Sequence, residues 1–148
     1  MTDISLRKVV LDDKDLLFEW RNMNELVALS FFKKKVTFIE HSEWFAQKLN
    51  SPSSDLHIIQ LNNEDIGLVR MESSDQGCEV SIYLIPGNEG KGYGFKALYR
   101  ALNKNKSFTT FYANVQLTNI PSQKLFLKLN FVEVSRDSEF IQYRRSKK

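Results

Sequence analysis

Apolar residues recur at every second position in several short segments of the chain, a period that predicts β-strands. Residues 4–10 alternate in this way and predict a first strand. In the middle of the chain, residues 56–61 and 66–71 predict two strands joined by a hairpin turn at 62–65. Further apolar segments predict strands at 80–85, 109–117, 131–134 and 140–143.

Helical spacing of apolar residues predicts four helices between these strands. An aspartate (Asp12 or Asp13) can cap the first helix, whose pattern resumes after a break at 22–24. Thr37 and Glu40 have the spacing of a capping box, which predicts the start of the second helix. The other two are expected at about 95–103 and after Asn119. The predicted order of elements is β-α-α-β-β-β-α-β-α-β-β.

The composition favours a single folded domain over residues 1–148. The chain is 42% hydrophobic and carries a net charge of only +3, so a nucleic-acid-binding stripe is not expected. Its one cysteine, Cys78, excludes an intrachain disulfide and is expected to be a buried, inert thiol. Neither a membrane-spanning segment nor a signal peptide is recognised, which predicts a cytoplasmic protein.

The clearest chemical signal is a glycine cluster between a predicted strand and a predicted helix. Gly90, Gly92 and Gly94 let backbone amides approach a ligand closely, and the following helix adds the positive end of its dipole. This arrangement favours phosphate binding, with a purely structural turn as the alternative. The spacing matches neither a Walker loop nor a dinucleotide fingerprint.

Two segments in the right order resemble the GNAT superfamily of N-acetyltransferases. The first is Glu-Val-Ser-Ile-Tyr-Leu-Ile-Pro at 79–86 followed by Gly-Lys-Gly-Tyr-Gly at 90–94, with Glu89 where the family has Gln or Arg. The second is Asn-Ile-Pro-Ser-Gln-Lys-Leu-Phe-Leu-Lys-Leu-Asn-Phe at 119–131. The resemblance implies an α+β fold: a central mixed, mostly antiparallel sheet of six to seven strands, flanked by about four helices.

The resemblance also implies acetyl-coenzyme A as co-substrate, with no metal. The backbone of the strand before the loop would pair with the pantetheine arm, through Ile82, Tyr83 and Leu84. Amides of the loop would hold the pyrophosphate, through Gly90, Lys91, Gly92, Tyr93, Gly94 and Phe95. Asn119 would hydrogen-bond the cofactor near its thiol end or act only as a helix cap. Phe126 stands where the family often has a tyrosine acid.

The sequence identifies the catalytic residues less clearly than it identifies the cofactor loop. Glu79 is expected to be the general base, working through water, with a surface or cross-strand glutamate as the alternative. Asn114 stands where some family members carry a glutamate base. His41 on the second helix is a further candidate, because the ordinary pKa of histidine lies near neutrality, with a helix-surface histidine that has no catalytic role as the alternative. Since Phe126 cannot donate a proton, either Tyr83 or Tyr112 replaces the missing acid or solvent protonates the thiolate.

The N-terminal half resembles two branches of the superfamily through Trp-Arg-Asn at 20–22 and His-Ser-Glu-Trp-Phe at 41–45. One branch acetylates nucleotide-linked amino sugars in bacterial surface-polysaccharide pathways such as the pseudaminic-acid route, and this branch is favoured. The alternatives are N-terminal acetylation of ribosomal proteins and a non-catalytic acetyl-coenzyme A module. Contacts with the small-molecule amine acceptor are expected from Arg21, Asn22, His41 and Arg70. The oligomeric state stays open, with a homodimer as one option.

Overall fold

A seven-stranded sheet forms the centre of the molecule in the computed structural model, which describes residues 3–30, 33–105 and 107–146. The strands are β1 (Ile4–Lys8), β2 (Ser54–Leu61), β3 (Glu64–Ser74), β4 (Gly77–Leu84), β5 (Thr110–Gln116), β6 (Val132–Arg136) and β7 (Phe140–Ser146). Their spatial order is β1-β2-β3-β4-β5-β7-β6, and only the β4–β5 pair is parallel. The predicted mixed, mostly antiparallel sheet is confirmed.

Five α-helices are found within the described ranges, one more than predicted. The additional helix arises because the chain breaks at residues 22–23, so that the N-terminal helical pattern forms two separate helices. The helices are α1 (Lys14–Arg21), α2 (Asn24–Leu29), α3 (Phe38–Leu49), α4 (Tyr93–Lys104) and α5 (Ile120–Lys128). A short 3-10 turn, Leu11–Asp13, precedes α1.

The capping box predicted for the second helix is present at the start of α3. The backbone amide of Glu40 donates to the Thr37 hydroxyl oxygen at 3.1 Å, and the amide of Thr37 donates to the Glu40 carboxylate at 2.8 Å. Two amides that the first turn would leave without partners are thereby satisfied. The boundary of α3 therefore follows directly from local sequence.

Helices cover both faces of the sheet and bury two hydrophobic clusters. Adjacent residues of β2 show this division, since Ile58 packs in the cluster beside α1, α2 and α3 while Ile59 packs in the cluster beside α4 and α5. Both side chains are fully buried. The sheet is therefore the middle layer of three.

The sheet forks between its two central strands. β4 and β5 pair only at Cys78–Phe111 and at Glu79–Tyr112, at the beginning of each strand. β4 then continues to Leu84 paired with β3, while β5 continues to Gln116 paired with β7. The two strands separate beyond Glu79, and no strand among the described residues pairs with the edge of β4 that faces the gap.

An ion-pair cluster fixes the N-terminal turn to the sheet. The guanidinium of Arg7 donates to both carboxylate oxygens of Asp13, at 2.9 and 2.8 Å, and also to both oxygens of Asp65, at 3.2 and 2.9 Å. Asp13 is buried, so its charge depends on this arginine. The cluster joins β1, the 3-10 turn and β3 at the point where α1 begins.

Candidate active site

A cavity of about 880 Å³ opens in the fork between β4 and β5. One wall is β4 with the neighbouring part of β3, and the opposite wall is β5 with the start of α5. The end of α1, the short helix α2 and the turn before β7 complete the enclosure. The polar side chains that line it are Arg21, Ser30, Arg70, Glu79, Ser81, Tyr83, Asn114, Gln116, Asn119, Ser122, Asp137, Ser138 and Glu139.

Glu79 and Asn114 meet where the fork begins. The side-chain amide of Asn114 on β5 donates to the Glu79 carboxylate on β4 at 2.9 Å. Glu79 lines the cavity, and its carboxylate accepts a hydrogen bond from a side chain of the opposite wall. A carboxylate in this place can accept a proton from an amine, directly or through one water molecule.

Tyr83 lies farther along β4 and also lines the cavity. Burial raises the pKa of Tyr83 above its ordinary value, although Arg70 and Arg21 oppose this effect. The phenol therefore stays protonated at neutral pH and can donate a proton. The other predicted substitute for the acid, Tyr112, is not among the cavity-lining residues, and its hydroxyl lies 3.3 Å from the Ser74 hydroxyl.

Two arginines bring positive charge to the same cavity. The Nη1 atom of Arg21 is buried and has no hydrogen-bond partner among the described residues. Burial lowers the pKa of Arg21, and the charge of Arg70 acts in the same direction. The Arg70 guanidinium lies 5.7 Å from the centre of the Trp44 ring. A buried donor without an acceptor is costly, and an anionic ligand would satisfy it.

His41 is not brought into the cavity. It is only 3% exposed, and its Nε2 atom lies 2.9 Å from the carbonyl oxygen of Lys14, which can only accept the bond. Burial lowers the pKa of His41, so the ring is neutral near pH 7. Its ring centre lies 5.7 Å from that of Trp44 and 6.0 Å from that of Phe45, and the position fits a role in packing α3 against α1.

Asn22 is also engaged away from the cavity. Its side chain donates to the carbonyl oxygen of Val36 at 2.9 Å and accepts from the Val36 amide at 2.8 Å. This pair of bonds ties the break between α1 and α2 to the segment that precedes α3. Of the four predicted acceptor contacts, the structure places Arg21 and Arg70 at the cavity and leaves Asn22 and His41 outside it.

The glycine loop ends directly at α4. Gly90 and Gly92 have φ values of 75° and 83°, in the left-handed region, and Gly92 is the N-cap residue of α4. A β-carbon at either position would meet no other atom within 4 Å, so the backbone conformation is what requires glycine. The amides of Tyr93, Gly94 and Phe95 begin the helix and have no preceding helical carbonyl to bond.

Glu89, which departs from the family pattern, has an identifiable role in the loop. Its carboxylate accepts a hydrogen bond from the Gly87 amide at 3.0 Å, while the Asn88 side chain donates to the Ile85 carbonyl at 3.1 Å. These bonds shape the segment between Pro86 and Gly90. Lys91 is exposed beside them and supplies positive charge at the same end of α4.

Helix α5 packs closely against α4 through Gly94. A β-carbon at Gly94 would lie 3.3 Å from the Leu125 side chain, which explains the third glycine of the cluster. At the start of α5, Asn119 accepts a hydrogen bond from the Ser122 amide at 3.3 Å and also lines the cavity. The cap uses its Oδ1 atom, so capping and ligand contact are compatible functions of this side chain.

Phe126 contributes an apolar surface to the cavity rather than a proton donor. It is 2% exposed, with its ring centre 5.0 Å from that of Phe131 and 6.3 Å from that of Tyr143. These contacts explain why a phenylalanine is stable at this position. The only polar hydrogen of a tyrosine lining the cavity is that of Tyr83, within the part of the chain that the structure describes.

Two walls of the cavity were not predicted from the sequence. Gln116 at the end of β5 donates to the Ser30 carbonyl at 2.7 Å and holds the end of α2 across the opening. Residues 137–139, in the turn before β7, and the first residue of β7 close the other side. Local sequence patterns do not predict such contacts, since 86 residues separate Ser30 from Gln116.

Two further properties bear on the chemistry. Over residues 3–30, 33–105 and 107–146, no cluster of three or more His, Cys, Asp or Glu side chains could hold a metal ion. In the same ranges, none of the helices combines the length and the apolar character that crossing a bilayer requires.

The sequence matches the family model described as acetyltransferase (GNAT) domain over residues 3–132. No curated protein sequence matches the chain significantly. The fold, by contrast, has many similar solved structures.

A domain from Methanocaldococcus jannaschii superposes with a TM-score of 0.88 at 24% identity, and covers 99% of both chains. Spermidine N-acetyltransferase from Vibrio cholerae, solved with CoA and spermine, has a TM-score of 0.84 at 18% identity, covering 97% of this chain and 95% of the other. The N-acetyltransferase PseH from Campylobacter jejuni has a TM-score of 0.72 at 19% identity, covering 98% and 99%.

Proposed function

The chain belongs to the GNAT acetyltransferase family and is an enzyme of the N-acetyltransferase class, and from this premise we propose that it acetylates the primary amine of a nucleotide-linked amino sugar, using acetyl-coenzyme A. The observation that carries the choice of acceptor is the pair of cavity arginines, Arg21 and Arg70. This substrate would assign the enzyme to bacterial surface-polysaccharide biosynthesis.

The residues of the fork and the glycine loop fit coenzyme A. The free backbone of β4 between Val80 and Leu84 can pair with an extended pantetheine arm, as an added strand would. The loop at 90–92 and the first amides of α4 can hold a diphosphate, and Lys91 adds charge. In the V. cholerae neighbour, whose structure contains CoA, the fold is shared across nearly the whole chain.

Acetyl-coenzyme A would supply the activated acyl group as a thioester. Around it, Glu79 takes the proton that the acceptor amine must lose before it can attack, directly or through water. Tyr83, protonated at neutral pH, donates a proton to the departing sulfur. Phe126 and the neighbouring apolar wall exclude water from one side. The cavity itself aligns the two substrates, which can lower the barrier by roughly 7–11 kcal/mol.

The charges of the cavity support an anionic acceptor over a polyamine. Arg21 and Arg70 have no ion-pair partner within the described residues, and the buried Nη1 of Arg21 has no acceptor at all. A diphosphate would satisfy both guanidinium groups through charge-assisted hydrogen bonds. A polycation such as the spermine of the V. cholerae structure would be repelled by the same pair.

Release of free coenzyme A, measured against a panel of acceptors, tests the proposal. The panel contains a nucleoside-diphosphate 4-amino sugar, the same amino sugar without its nucleotide, spermidine and short peptides that imitate ribosomal-protein N-termini. We expect the highest kcat/KM with the nucleotide sugar and a much higher KM without the nucleotide. Faster turnover of a peptide or of spermidine would reject the proposed acceptor. Tight acetyl-coenzyme A binding with no turnover of any amine would indicate a non-catalytic module.

A further inference from the structure

Three polar side chains form a row across β7, β5 and β4. Gln142 on β7 is the register partner of Asn114 on β5, and its side-chain amide lies 3.5 Å from the Asn114 Oδ1 atom. The Nδ2 atom of Asn114 in turn lies 2.9 Å from the Glu79 carboxylate on β4. The row ends at the proposed base.

The chemistry of the groups fixes the direction of this row. An ionised carboxylate can only accept hydrogen bonds, so the amide of Asn114 must point its NH₂ group towards Glu79. Its oxygen then faces β7, where the Gln142 amide is the donor. Neither end of Asn114 is free to turn without leaving one of these groups without its partner.

The hydrogen bond between Asn114 and Glu79 lies next to the point where β4 and β5 stop pairing. Backbone pairing between β4 and β5 ends at Glu79–Tyr112, and Asn114 is two residues farther along β5 on the same face. The side-chain bond therefore spans the fork just where the backbone ladder stops. It limits the rotation of Glu79 on the side that opens into the cavity.

We propose that Asn114 is a positioning residue, which orients the Glu79 carboxylate as proton acceptor for the acceptor amine. The inference rests on the proposed function for the identity of that amine. The hydrogen bond holds one carboxylate oxygen of Glu79, which leaves the other oxygen to face the substrate.

Other charged and titratable groups face Glu79 from the surrounding elements. Glu72 on β3 is its register partner, and Lys48 on α3 neutralises Glu72 at 2.9 Å. Arg70 on β3 lines the same cavity. Tyr112 on β5 and Arg144 on β7 occupy the same row of the sheet. None of these groups makes the direct contact that Asn114 makes.

The pH dependence of kcat/KM in an Asn114→Asp variant tests the proposal. This near-isosteric change places a second carboxylate against Glu79, and like charges at such a distance oppose ionisation. We expect the acidic limb of the profile to move to higher pH by about one to two units. Asn114→Ala should lower kcat by roughly ten- to a hundredfold, because the base is no longer held. The KM for acetyl-coenzyme A should stay unchanged in both variants.

Asn103→Asp is the matched control, since it adds the same charge on the exposed side of α4 and should keep the wild-type profile. An Asn114→Asp profile that coincides with the wild-type one would overturn the proposal. A second measurement needs no turnover: NMR of the Asn114 side-chain amide in the wild type and in Glu79→Gln. If the Asn114 amide contacts the Glu79 carboxylate, the chemical shifts of the amide should change with pH in the wild type and should not change in Glu79→Gln. The same pH dependence of these chemical shifts in the two proteins would also overturn the proposal. This test does not depend on which amine the enzyme acetylates.

Discussion

A β-carbon added at Gly67 on β3 would collide with the backbone carbonyl oxygen of Tyr83 on β4. The two residues lie diagonally across the β3–β4 ladder, where Gly67 pairs with Leu84 and Leu68 pairs with Tyr83. The absence of a side chain at Gly67 therefore sets how closely β4 approaches β3. This contact fixes the strand that carries both the free backbone edge and the proposed acid.

Gly67→Ala should destabilise the protein and weaken cofactor binding together. The new methyl group meets backbone rather than a flexible side chain, so β4 must shift, at a cost of about 2 kcal/mol or more. Urea unfolding and calorimetric titration with acetyl-coenzyme A would measure the two effects. Gly94→Ala is the stability comparator, because its methyl group would meet side-chain ends only, with Leu125 the nearest at 3.3 Å, and should cost much less.

Gly92→Ala should reduce acetyl-coenzyme A affinity through the conformation of the loop. The residue has φ 83°, and holding alanine there costs roughly 1–2 kcal/mol. Gly87→Ala imposes a similar strain at φ 95°, but at the opposite end of the loop from the α4 amides. Calorimetric titration should show a clear loss of affinity in the first variant and a smaller one in the second. Equal affinities for Gly92→Ala and wild type would argue against phosphate binding at α4.

Tyr83→Phe should lower kcat by about a hundredfold if the phenol donates the proton to the departing sulfur. The control is Tyr112→Phe, which removes the hydroxyl of a tyrosine outside the cavity and should leave kcat unchanged. Because burial raises the pKa of Tyr83, its deprotonation should not limit activity near neutral pH. Retention of the wild-type kcat by Tyr83→Phe would leave solvent as the proton source.

Arg21→Met should have effects of opposite sign on stability and function. It removes a guanidinium whose Nη1 atom is buried without a partner, so the free energy of unfolding should rise by about 1 kcal/mol. The KM for a nucleotide-sugar acceptor should rise by roughly ten- to a hundredfold, through loss of a charge-assisted bond. Arg100→Met on the exposed side of α4 should change neither quantity. A lower stability in Arg21→Met would show that the arginine is satisfied in the free protein.

Arg7→Met should destabilise the protein by about 2 kcal/mol at pH 7, because it leaves the buried Asp13 without its partner. Burial opposes ionisation of Asp13, but hydrogen bonds from Arg7 and the Val10 amide hold its pKa below the ordinary 3.8. Hydrogen bonding to Arg7 likewise lowers the pKa of Asp65. The stabilisation is therefore complete above pH 3.8 and is lost as the pH falls through the lowered pKa values of the folded state.

Urea unfolding at several pH values would test this linkage. The difference between wild type and Arg7→Met should be largest at neutral pH and shrink on acidification. Arg136→Met, which breaks the exposed pair with Glu133, serves as the control and should follow the wild-type curve. A constant difference between Arg7→Met and wild type from pH 7 to pH 3 would contradict the role of the two aspartates.

The sequence predicted those elements that depend on interactions between neighbouring residues. The alternation of residues 4–10 and the Thr37–Glu40 capping box each became the expected element, because strand pairing and capping depend on nearby side chains. The glycine cluster was located in the same way, since left-handed backbone favours glycine wherever it occurs. The separation of α1 from α2 was harder to predict from the sequence, because Asn22 makes its side-chain hydrogen bonds to Val36, fourteen residues away.

The walls of the cavity required the three-dimensional structure. The sequence does not show that β5 leaves β4 after two paired positions, nor that Gln116 reaches the carbonyl of Ser30. His41 is a different case. Its near-neutral intrinsic pKa favoured a chemical role, whereas the structure buries its ring against Trp44 and Phe45. Burial pattern is the better guide for a histidine on an amphipathic helix.

The two-position pairing of β4 with β5 has a mechanical consequence. Because β4 and β5 share only two paired positions, few backbone hydrogen bonds resist a change in the angle between strands β1–β4 and strands β5–β7. Such a change would widen or narrow the far end of the fork. Glu79 lies at the paired end, where the displacement would be smallest, so the proposed base would keep its position while the opening changes in width.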